Sequence, residues 1–68
     1  MTESLAEALP REIARVQELM PAYVEIGSAG IFALTMMRHS IAVAHKAMME
    51  GDVVGMIRAY DDLKGFAE

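Results

Sequence analysis

The chain contains no cysteine. Disulfide staples and thiolate metal sites are therefore excluded. It also has no tryptophan, and only two tyrosines and two phenylalanines. Long apolar runs are missing too. The longest, residues 29–37, covers nine positions even when Thr35 is counted, against the roughly 20 that a membrane-spanning helix needs. Basic charge is scarce: six lysines and arginines face ten acids, for a net charge of −4. A strongly basic face for nucleic acid is thus not available. The first nine residues hold two glutamates and no basic residue, so no secretory leader is read there. These absences lead to the expectation of a cytoplasmic protein with no membrane contact and no direct binding of nucleic acid.

What is abundant is apolar mass. Of 68 residues, 54% are hydrophobic, more than the interior of one small domain can hide. A chain this short is marginal as a single core, and with disulfides excluded, association of copies is the staple left. The expectation is one domain over residues 1–68 that forms a homodimer.

The apolar mass is concentrated in residues 30–49. One ridge of this central helix is Leu34, Met37, Ile41, Ala44 and Met48, spaced 3, 4, 3, 4. A second is Phe32, Met36, Val43 and Ala47. At about 100° per residue the two leave one stripe for Thr35, Arg38, His39, His45 and Lys46. A helix with two apolar ridges needs at least two partners. The first ridge, Leu34, Met37, Ile41, Ala44 and Met48, is expected at the seam with a second copy.

On the N-terminal side, Leu5, Leu9, Ile13, Val16, Met20 and Tyr23 form a narrow stripe at helical spacing. Thr2 or Ser4 can cap a first turn. Pro10 suits a first helical turn, so the regular helix is expected from about residue 10 to 25. Pro21 is expected to kink or break it. Gly27-Ser28-Ala29-Gly30 reads as a turn, with Gly27 as C-cap and Ser28 as the next N-cap. The second helix is expected over residues 29–50. Gly51 then ends it, and Asp52 caps a third over residues 53–64. Val53, Met56, Ile57, Tyr60 and Leu63 are expected to face inward, with Gly65 and Phe66 as a Schellman-type stop. No strand-like alternation or repeat is present. The fold class is all-α, a three-helix chain or helical hairpin with a long central helix, assembled as a homodimeric bundle.

No constellation carries chemistry. His39 and His45 are six apart, roughly 120° around a helix, and cannot chelate one ion as an i, i+4 pair would. Asp61 and Asp62 are adjacent and point to different sides. No nucleophile elbow surrounds Ser28 or Ser40, and residues 27–30 lack the lysine and the glycine spacing of a phosphate loop. Helix, turn, helix over residues 36–60 echoes a DNA reader, but its second helix carries Asp52, Asp61 and Asp62 against Arg58 and Lys64, and phosphates would repel it. No catalytic residue, cofactor or metal ligand is assigned.

The acids lie outside the apolar middle. Residues 1–27 are net −3, residues 28–50 net +1 and residues 51–68 net −2. An acidic surface with apolar anchors fits a basic protein partner. The partner-contacting candidates are Glu12, Glu18, Asp61 and Asp62, with Tyr60 and Phe66 as aromatic anchors.

Three stretches carry a resemblance: LPREIARV (residues 9–16), the turn at residues 27–30 and EGDVVGMIRAYDDLKGF (residues 50–66). Together they resemble the short acidic helical proteins of Mu-like transposable phages and prophages of pseudomonads and related bacteria, among them the phage anti-quorum-sensing class. The resemblance implies a non-enzymatic inhibitor that binds the DNA-binding domain of a LuxR-type regulator, with the ATPase of type IV pilus assembly as a second target. It assigns no contact residue.

Overall fold

A computed structural model describes residues 3–66. Among them are three helices, α1 (Leu5–Ile26), α2 (Ser28–Glu50) and α3 (Val53–Lys64), and no strand. The chain is all-α. Each helix packs on both others.

Helix α1 starts earlier than the sequence suggests. Ser4 caps it, with Oγ accepting the Glu7 N–H at 3.3 Å and donating to the Glu7 carboxylate at 3.2 Å. This Ser-x-x-Glu arrangement stabilises the first turn and moves the start from residue 10 to Leu5. Thr2, the other candidate cap, lies outside the described residues. Both prolines are inside the helix, and it does not end at Pro21. The reason is their side. Pro10 and Pro21 are exposed, as are Ala6 and Gln17, whose carbonyls lose their donor four residues on. Both prolines therefore lie on the solvent side of α1, where a carbonyl that loses its N–H partner is near water.

The α1–α2 junction is one residue. Gly27, at φ 81° and ψ −138°, closes α1 and opens α2. Ser28 is therefore already helical rather than a cap, and α2 has no side-chain cap. The α2–α3 junction follows the sequence reading. Gly51 is left-handed at φ 67°, and the Asp52 N–H reaches the Ala47 carbonyl at 2.9 Å in a Schellman arrangement. The Asp52 carboxylate then accepts the Gly55 N–H at 3.0 Å and caps α3.

The core is built on α2. Leu34, Met37 and Ala44 are buried, Met37 at 0% exposure, and Ile41 and Met48 pack against the same cluster. Leu9, Ile13 and Val16 of α1 and Ala59 and Leu63 of α3 complete it. Within the single chain, the ridge Leu34, Met37, Ile41, Ala44 and Met48, expected at a seam between copies, is already core. It is covered by α1 and α3 of its own chain, because two short connections fold both helices back onto the same side. The second ridge is left outside: Phe32, Met36 and Val43 are exposed, and only Ala47 is buried. On α3, Val53 and Ile57 point outward, contrary to the sequence expectation, and Ala59 takes the inward position. A small residue there lets α3 lie close to its neighbours.

Gly30 is buried where α2 crosses α1. A Cβ on it would stand against the Tyr23 carbonyl oxygen, with the carbonyl carbon 3.0 Å away. Backbone does not yield as a flexible side chain does. In an open helix alanine would be favoured over glycine by up to about 1 kcal/mol; here steric overlap dominates. Gly30→Ala is expected to destabilise the fold by about 1–3 kcal/mol, read as a lower urea midpoint with unchanged slope.

Candidate functional site

No set of three or more His, Cys, Asp or Glu side chains converges on one point among the described residues. His39 and His45 are both exposed, on the outer turns of α2.

The most organised polar cluster is one the sequence reading passed over. Arg15 of α1 spans to the end of α3. Its Nη2 donates to the Leu63 carbonyl at 2.8 Å and its Nη1 to the Phe66 carbonyl at 3.1 Å. Its Nε donates to Glu12 Oε2 at 2.8 Å. The last carbonyls of a helix have no intrahelical donor and carry the negative end of the helix dipole. A guanidinium, planar and with forked donors, meets both needs at once. Gly65 accordingly is not a left-handed stop. It sits at φ −72°, and tightened bonds from Gly65 to Asp62 and from Phe66 to Leu63, both 3.2 Å, end α3 instead. The only hint of this in the sequence is the place of Arg15 beside the α1 stripe, one residue before Val16.

The clamp redraws the partner surface. Glu12 is half-buried and committed to Arg15, so its charge is neutralised within the chain and it is not a free acid. Arg11 likewise pairs with Glu3. Phe66 is half-buried against the core, with its carbonyl held by Arg15. Tyr60 is half-buried too, and Lys64 Nζ lies over its ring, 5.2 Å from the centroid. The two aromatics are thus pinned rather than free, each with part of its surface still open. Glu18, Asp61 and Asp62 are exposed and carry the acidic character to solvent.

A second feature is apolar. Along α2, Phe32 is 76% exposed, with Met36 and Val43 following on the same side. Val43 borders a groove between α2 and α3 that Lys46, Ala47, Glu50, Asp52 and Gly55 also line. Gly55 makes the groove possible: a Cβ on it would come within 3.2 Å of the Ala47 methyl and 2.6 Å of the capping Asp52 carboxylate. None of the described helices is long and apolar enough to cross a membrane.

Replacing Arg15 by alanine removes two charge-assisted bonds between α1 and α3 and is expected to cost about 1.5–3 kcal/mol. Arg15→Lys recovers only part, since one ammonium cannot hold two carbonyls in a fixed fork. Amide exchange should report the loss first at the C-terminal turn of α3. Compared with known proteins, the chain matches no protein-family model, no characterised protein and no solved structure.

Proposed function

We propose that this chain is a non-enzymatic inhibitory binding protein that acts as a homodimer and docks on a basic surface of a host protein. The observation that carries the reading is the end of α3. Asp61 and Asp62 are exposed beside Tyr60 and Phe66, which are half-buried, with Lys64 Nζ over the Tyr60 ring and Arg15 bonded to the Phe66 carbonyl. Acids speed the encounter with a basic patch, and fixed aromatics give affinity because little side-chain entropy is lost on docking. Glu18 of α1 adds exposed negative charge; Glu12 does not, being paired.

The target class comes from the resemblance to small acidic phage proteins: the DNA-binding domain of a LuxR-type regulator, whose DNA-facing surface must be basic to hold phosphates. Occupying that surface keeps the regulator off DNA and needs no chemistry. A second reading, a structural or assembly homodimer with no host target, draws on the exposed Phe32, Met36 and Val43 of α2. A pull-down from host lysate separates the two.

The test uses the purified chain and a regulator DNA-binding domain. Binding is expected to weaken as salt rises, mainly through slower association. Asp61→Lys/Asp62→Lys should weaken it by at least about tenfold, roughly 1.4 kcal/mol, with helical circular dichroism unchanged because both side chains are exposed. Equal binding by that double variant, or direct binding of duplex DNA by the unmodified chain, sinks the proposal.

A further inference from the structure

At the end of α3, Lys64 has two places to put its charge. Asp61 stands three residues before it and Tyr60 four, both within reach along a helix surface. A carboxylate at that spacing is the ordinary partner of a lysine. Here Nζ instead lies over the Tyr60 ring, 5.2 Å from the centroid, and Lys64 makes no ion pair among the described residues. The ring face, not the carboxylate, is where the cation rests.

Ring and cation are held differently. Tyr60 is half-buried and packs against the core. The turn that carries it is fixed from α1, because Arg15 bonds the carbonyls of Leu63 and Phe66, which bracket Lys64. Lys64 itself is exposed, on a flexible four-carbon stem that can leave by bond rotation alone. Asp61 and Asp62, both exposed, place negative charge on the same turns of the helix.

We propose that the Tyr60 ring is a receptor face for an arginine side chain of the partner, and that Lys64 is an internal stand-in covering it until that arginine displaces it. This rests on the basic partner proposed above and names the group that the partner presents. Arginine fits the face better than lysine does. Its planar guanidinium stacks on an aromatic ring and is more weakly hydrated than an ammonium, so docking strips less water from it. The displaced Lys64 then has Asp61 to pair with, which offsets part of the cost of leaving the ring.

The test titrates the purified chain with hexa-arginine at about 0.15 M salt, where exposed charges more than about 8 Å apart are largely screened. Calorimetry reads affinity. Tyrosine emission reads location, since the chain has two tyrosines and no tryptophan, and the change that disappears in Tyr60→Leu belongs to Tyr60. Hexa-arginine should bind about threefold more tightly than hexalysine of equal charge. Lys64→Gln, which uncovers the ring, should tighten hexa-arginine binding by about threefold more. Lys46→Gln removes the same charge from α2 and should leave it nearly unchanged. Equal binding of the two peptides, or equal gains from Lys64→Gln and Lys46→Gln, overturns the proposal, and neither result needs the Tyr60 variant to fold. So does a gain from Lys64→Gln that persists in a folded Tyr60→Leu chain. The regulator's DNA-binding domain is assayed separately. Its failure to bind removes the host target and leaves the ring face standing. A regulator that binds while hexa-arginine does not leaves the docking standing and overturns the ring face.

Discussion

The structure depends on burying the Leu34–Met37–Ile41–Ala44–Met48 ridge of α2 on two sides within one short chain. No disulfide contributes, so apolar contact has to provide most of the stability. Both flanking helices must then approach closely. The connections enforce this: one residue joins α1 to α2, and Gly51 with Asp52 joins α2 to α3. Small residues permit it. Gly30 lets α2 meet the α1 backbone at Tyr23, and Gly55 lets α3 come against Ala47. Interhelical distance follows the size of the residues at the contact, so these glycines set the geometry into which the larger side chains fit.

The end of α3 lies a full helix length away from the Gly51–Asp52 junction that joins it to α2. Arg15 holds it from α1, linking residues 48 and 51 positions away in sequence. The same guanidinium donates to the Leu63 and Phe66 carbonyls, opposes the helix dipole and pairs with Glu12. It therefore couples the order of α3 to α1 directly, without passing through α2. It also holds Phe66 and the last turn of α3, where the exposed acids lie, so the proposed partner surface is rigid for the same reason that the fold closes.

The outer surface does not divide by helix. Large apolar residues are exposed on all three, Val24 and Ile26 on α1, Ile31, Phe32, Met36, Val43 and Met49 on α2, and Val53, Val54 and Ile57 on α3, which also carries the exposed acids Asp61 and Asp62. In a chain too small to hide all its apolar residues, exposed ones scattered singly are ordinary surface.

The sequence by itself determined the all-α class, the three helices and their turns, because helical periodicity and the Gly51–Asp52 junction are local properties of neighbouring residues. It also marked Leu9, Ile13 and Val16 as the inward stripe of α1, since a single narrow stripe has only one way to face. Local signals misled where exposure decided the outcome. Pro10 and Pro21 both remain within α1, on its exposed side, and a proline's side of the helix is not known until the helix has packed. Only the tertiary structure decided which of the two α2 ridges is core and which is surface. Both are apolar and correctly spaced, and the choice depends on the direction in which the Gly27 and Gly51 junctions return the chain. The Arg15 clamp was equally illegible, since its partners are backbone carbonyls, which every residue possesses and which no residue pattern marks.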